Sequence, residues 1–114
     1  KVQDFNGVKV LVEKVSADSV DTLRGLGDQF RDKVGGAVVL ATEMGGKAVI
    51  LAMATKEAVA QGVHAGNIVK EVAKLCGGGG GGRPDMAQAG AKDLSKLDDA
   101  LQAAWEIVKK QVVK

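Results

Sequence analysis

Tyrosine is absent from this 114-residue chain, and cysteine, histidine and proline occur once each, as Cys76, His64 and Pro84. One cysteine excludes an internal disulfide framework and a cysteine-based zinc site, and one histidine excludes a multi-histidine metal site. The aromatic residues are Phe5, Phe30 and Trp105 alone. Binding of single strands by base stacking needs a platform of such rings, so their scarcity argues against that mode. The longest purely apolar stretch, residues 48–54, falls far short of the roughly 20 residues of a membrane span. No secretory leader opens the chain, and Lys1 in place of Met reads as a piece of something longer. Charge of one sign is missing too: 16 basic against 14 acidic side chains leave +2, too little to announce a nucleic-acid binder. These features together point to a reducing, cytoplasmic setting.

What is there is an ordinary globular composition, 46% hydrophobic and 26% charged, which excludes intrinsic disorder. The length predicts one domain over residues 1–114 with one real core. Glycine is the exception. It occurs 16 times, and six stand in a row at residues 77–82.

Residues 8–15 alternate Val8, Val10, Val12 against Lys9, Leu11, Glu13, the period of a strand. Ser19 is the best N-cap for the succeeding helix, with Asp21 in its first turn. Leu23, Leu26, Phe30 and Val34 form its apolar face, and Gly35 and Gly36 end it. Gly27 lies on that face, where close approach of helix to sheet explains it; Gly25 has no such explanation. Residues 37–42 and 47–55 read as two strands joined by a Gly45-Gly46 hairpin turn. Residues 48–54 barely alternate, so both faces of the second of these strands are expected to be covered. The predicted fold class is α/β: a small mixed sheet made of a right-handed β-α-β unit plus an antiparallel hairpin strand, with helices packed on it.

Residues 56–61 predict a single helical turn. A firmer helix is expected from an N-cap at Asn67, with Ile68, Val69, Val72, Leu75 and Cys76 apolar and Gly77 at its end. The last helix is predicted from Ser95 and Asp98 as an S-x-x-D cap, with Leu97, Leu101, Trp105, Val108 and Val112 on one stripe. Lys109, Lys110 and Lys114 suit its C-terminal dipole.

The glycine run admits two readings. It is a flexible linker, or it is a nest whose successive N–H groups converge on an anion. The two residues after the run favour the nest: Arg83 brings a planar donor fork suited to phosphate, and Pro84 stiffens the turn. Gly77, Gly79 and Gly82 satisfy G-x-G-x-x-G only trivially, because they come after a helix and not a strand, and the Gly-Lys-Ser/Thr of a Walker loop is missing. Six glycines lose much entropy on fixing, so the loop is expected to be weakly ordered without ligand.

Residues 77–90, GGGGGGRPDMAQAG, closely resemble the signature of the C-terminal, DHH-associated type of domain found in alanyl-tRNA synthetases. The resemblance extends to the VKVLVEKV strand, the Leu23-Arg24 helix, the VVLAT strand and the HAGNIVKEVA helix; Ala91 stands where a second glycine is usual. It implies an α/β domain, placed after aminoacylation and editing modules in the same chain, that contacts the elbow of tRNA(Ala) and helps couple the two activities. ATP, magnesium and zinc then belong to the parent ligase and to parts outside this chain. A related domain accompanies DHH-type phosphodiesterases, where the glycines lead into His; Arg83 favours the synthetase branch. A third reading is a structural one, in which the loop packs against a second copy in a homodimer.

The expected phosphate and nucleic-acid contacts are Gly78, Gly79, Gly80, Gly81, Gly82 and Arg83, with Lys92 nearby. Asp85 accepts from a ribose hydroxyl or caps the next turn, and Gln88 reaches a base edge or phosphate or faces solvent. His64 is read as a surface or capping residue, Cys76 as a small buried hydrophobe, and Trp105, Met53 and Met86 as packing. Glu71/Lys74 and Glu106/Lys110 are expected helix-surface ion pairs. No catalytic constellation and no metal set emerges, so the chain by itself is expected to be inert.

Overall fold

The computed structural model describes residues 2–112; Lys114 lies outside them. Six strands form one sheet in the order β1-β2-β3-β4-β6-β5. They are β1 (Gln3–Phe5), β2 (Val8–Lys14), β3 (Ala37–Met44), β4 (Lys47–Ala54), β5 (Gly79–Gly82) and β6 (Met86–Ala91). The helices are α1 (Val20–Val34), α2 (Lys56–Ala60), α3 (Ala65–Leu75) and α4 (Leu97–Val112).

The centre is the expected unit. β2 and β3 pair in parallel across α1, and β4 returns antiparallel through Gly45 and Gly46, both at positive φ (57° and 81°). Ser19 caps α1 by accepting from the Thr22 amide at 3.1 Å, and Gly35 ends it at φ 73°. A side chain at Gly27 would stand 2.7 Å from Leu51 Cδ2 and 3.0 Å from Met53 Sδ, so α1 lies directly on β4 there. At Gly25 there is open space, and nothing in the structure explains that glycine.

The sheet is wider than three strands. β1 joins at one edge through Asn6 and Gly7, both at positive φ, an Asn-Gly hairpin turn. β6 and β5 extend the other edge. The core divides by sheet face. Val10, Val39, Ile50, Ala52, Ala87 and Ala89 face α3 and α4; Leu11, Leu40, Leu51 and Met53 face α1 with Leu23. β4 is thus covered on both faces, as its unbroken apolar run predicted. Trp105 packs against the first cluster and meets Phe5 edge to face, centroids 6.2 Å apart, which ties β1 to α4.

Four local expectations are corrected. α3 starts one turn early: its N-cap is His64, whose Nδ1 accepts from the Asn67 amide at 3.0 Å, so Asn67 is inside the helix. The early start is held by tertiary partners, since the Ala65 and Gly66 amides donate to the Pro84 and Arg83 carbonyls (2.8 and 3.1 Å). Ser95 does not cap α4. The Asp93 carboxylate accepts from the Ser95 hydroxyl and amide, making a 3₁₀ turn that runs into α4, and these bonds hold the Asp93 carboxyl below its usual range. Leu75, assigned to the apolar face, is 48% exposed. The pairs Glu71/Lys74 and Glu106/Lys110 are not among the ion pairs of the described residues, as expected of solvated side chains that gain little by pairing.

Gln111 clamps α4 to the start of α3: its Oε1 accepts from the His64 amide (3.0 Å) and its Nε2 donates to the His64 carbonyl (3.3 Å). Gln111→Ala therefore leaves the half-buried His64 amide unpaired, while the His64 carbonyl keeps its bond from the Ile68 amide (3.1 Å), and thermal unfolding should show a loss of about 1–3 kcal/mol. Cys76 is fully buried, and burial pushes its thiol above the usual value. The thiol is the neutral form to alkaline pH, and the stability this burial carries declines as pH rises through the unfolded thiol's range. Native protein at pH 8 should react with a disulfide reagent far more slowly than protein in guanidinium; equal rates would contradict the burial.

Candidate nucleic-acid interface

The glycine run is a strand, and this revises both readings of it. Cys76 closes α3, and Gly77 comes next at φ 69°. The Gly77 amide donates to the Lys74 carbonyl and the Gly78 amide to that of Ala73, the two bonds of a Schellman ending. From there the backbone extends, and Gly79–Gly82 pairs along its whole length with β6, Gly79 with Gly90 through Gly82 with Ala87. The run is neither a linker nor a loose loop. It is not a nest either, because successive amides of a strand point to opposite edges and cannot converge on one anion.

The six glycines serve two different ends. A methyl group at Gly80 would stand 2.5 Å from the Ala89 Cβ, and one at Gly82 2.7 Å from the Ala87 Cβ; one at Gly78 would overlap the Gly90 carbonyl. Ala87 and Ala89 belong to the core under α3, and Gly66 of α3 itself leaves no room for a side chain against the Gly82 carbonyl. The even-numbered glycines are thus required by packing. Gly79 and Gly81 are not: a side chain there meets nothing within 4 Å, and neither has a positive φ.

Their vacant side-chain positions lie on the opposite face of the sheet, shared with their partners Gly90 and Gln88, all exposed. α1 covers β4 on this face at Leu51 and Met53 but does not reach β5. A floor two strands wide results, bare of side chains at Gly79, Gly81 and Gly90, with Gln88 as its one polar side chain. Arg83 stands at one end, in the turn between β5 and β6, where its amide donates to the Met86 carbonyl (3.1 Å). Its guanidinium is 69% exposed, and Nε lies 3.4 Å from Asp85 Oδ1. Asp85 caps no amide among the described residues; its carboxylate orients Arg83, and its carbonyl accepts from the Ala54 amide (2.9 Å). Lys92 is exposed just past the far end of β6. The length of β6 holds it roughly 20 Å from Arg83, so the two mark opposite ends of the floor.

The alternation of needed and unneeded glycines is not legible in a run of identical residues. The role of Gly66 is likewise hidden in the sequence, where its place in the HAGN stretch is the one available signal. A concavity of about 560 Å³ lined by Leu11, Phe30 and Lys33 lies between α1 and β1–β2, away from this floor.

Among the described residues no three His, Cys, Asp or Glu side chains gather into a metal site. His64 is committed to its cap and Cys76 is buried. The described residues offer no ligand cluster that fits the magnesium or zinc that the resemblance attaches to a parent ligase. No helix among the described residues is long and apolar enough to cross a membrane.

Fold and site together define a small α/β domain with a glycine edge strand. The chain belongs to the DHHA1 domain family, whose model matches residues 7–110. It is 53% identical to the alanine–tRNA ligase of Acetivibrio thermocellus over 98% of its length, and 54% identical to that of Geobacillus kaustophilus over 89%. The chain spans only 13% and 12% of those two relatives. It is similar to the crystallised C-Ala domain from Aquifex aeolicus alanyl-tRNA synthetase, with 28% identity, a TM-score of 0.82, and 96% and 98% of the two chains covered. A DHH domain described as a member of the s1p family of ribosomal proteins shares the fold, at 21% identity and a TM-score of 0.62 over 28% of that chain.

The two classes of glycine separate by substitution. Gly80→Ala should destabilise the domain by roughly 1–3 kcal/mol, because the strands must part to admit the methyl group. Gly81→Ala should stabilise it by about 0.4–1 kcal/mol through the unfolded chain. Thermal melts of the two variants read the opposite signs.

Proposed function

We propose that this domain is the tRNA-gripping module of an alanine–tRNA ligase, laying the elbow of tRNA(Ala) on the floor formed by β5 and β6. The observation that carries the reading is the open space at Gly79 and Gly81. Packing does not ask for glycine at either position, so a ligand that approaches the backbone closely accounts for both. Arg83 contacts a phosphate in a direction set by Asp85, with Lys92 near another at the far end, and Gln88 bonds a ribose or base edge. Close relatives that are alanine–tRNA ligases support this over a phosphodiesterase accessory domain. Aminoacylation and editing, with their ATP, magnesium and zinc, belong to other domains of the same cytoplasmic enzyme, which are this domain's further partners. Its own role is to hold the folded tRNA while they act.

Arg83→Ala should cost one charge-assisted contact, about 1.5–3 kcal/mol, weakening tRNA(Ala) binding by roughly ten- to a hundredfold. The salt slope should fall by about one unit, and non-cognate tRNA should lose as much, since phosphate contacts do not read bases. Gly81→Val should keep or raise the melting temperature while weakening binding. Unchanged affinity in both variants, with intact folds, would sink the proposal.

A further inference from the structure

We infer that α1 supplies a second wall to this surface: Arg24 and Arg31 hold the sugar–phosphate backbone of the bound RNA from the side facing Arg83. The inference rests on the reading of β5 and β6 as the RNA-facing floor. In α1, Leu23 and Gly27 are buried against the sheet. Arg24 and Arg31 are seven residues, two turns, apart and so share one flank of the helix. Arg31 shows which flank that is. Its Nη1 lies 3.9 Å from Met53 Sδ on β4, Met53 pairs with Met86 on β6, and Met86 lies across the turn from Arg83. The flank of Arg24 and Arg31 therefore overlooks the open floor, whereas Phe30 and Lys33 line the concavity over β1 and β2 on the other side.

Gly27 makes the arrangement possible. With no side chain there, α1 sinks onto Leu51 and Met53, which brings the arginine flank down beside the floor. Two strand spacings, about 10 Å, separate β4 beneath this wall from β5, a width for one sugar–phosphate strand and not for a whole duplex. The two guanidiniums are spaced about 10 Å along the helix, so they meet different phosphates of that strand. Arg31 is preset: its side chain is only 27% exposed and pairs with Asp28 (3.1 Å) and Asp32 (3.2 Å). Arg24 is exposed and has no ion pair among the described residues. Nothing in the packing uses its charge.

The test is a salt series of binding to an unmodified tRNA(Ala) transcript, comparing Arg24→Gln and Arg24→Lys with Arg83→Gln. Arg24→Gln should weaken binding about tenfold and lower the salt slope by about one unit, with an unchanged melting temperature. Arg24→Lys should retain most of the slope. If Arg83→Gln weakens binding while Arg24→Gln changes neither affinity nor slope, the α1 wall is overturned and the floor stands. If Arg83→Gln has no effect either, or the unaltered protein does not bind the transcript, the reading of β5 and β6 falls and takes the wall with it.

Discussion

The contact on which the rest of the structure depends is the seating of α3 against the glycine strand. Gly66 lies against the Gly82 carbonyl, and the first amides of α3 donate to the carbonyls of Arg83 and Pro84. A helix N-terminus has four amides without helical partners; here two are satisfied by the turn that presents Arg83. That exchange fixes the helix start and the turn at once. It needs glycine on both sides, because any side chain at Gly66, Gly80 or Gly82 would force the backbones apart. Strand and helix approach closely because neither carries side chains where they meet.

An edge strand of four glycines has almost no β-propensity and no side chains with which to pack. Its order comes from its neighbours. The Schellman ending of α3 sets where the strand begins, the Arg83–Met86 bond sets where it turns, and the pairing with β6 does the rest. β6 is in turn held by small core residues, Ala87, Ala89 and Ala91, under α3 and α4, and its far end is tied back by the Asp93 amide on the Cys76 carbonyl (2.9 Å). The surface so produced is low, with its charges at the margins. Such a surface suits a partner recognised by the course of its backbone more than by base identity.

The same asymmetry organises the two sheet faces. α3 and α4 seal one face from β2 to β5, whereas α1 covers only part of the other. The part left open over β5 and β6 would be a defect if floored with apolar side chains, since a bare apolar patch invites association. Glycine and Gln88 leave it polar, with backbone in place of side chains.

Much of this was legible in the sequence. Alternation gave β2, the 3–4 spacing of Leu23, Leu26, Phe30 and Val34 gave α1, and Gly45-Gly46 gave the hairpin, because those signals are local and carried by side chains. The RPDMAQAG string identified the family, with Arg83 as the cation at its head. A capping role for His64 is among the readings its place before a helix allows, but the sequence puts the start of α3 at Asn67, because the Arg83 and Pro84 carbonyls that hold the earlier start are distant in sequence. The capping role of Asp93 escaped because its carboxylate displaced Ser95. The division of six identical glycines into those that packing requires and those it leaves open is not written in their identity. Only the tertiary structure decided it, because strand pairing assigns alternate residues to opposite faces, and only one of those faces has a helix on it.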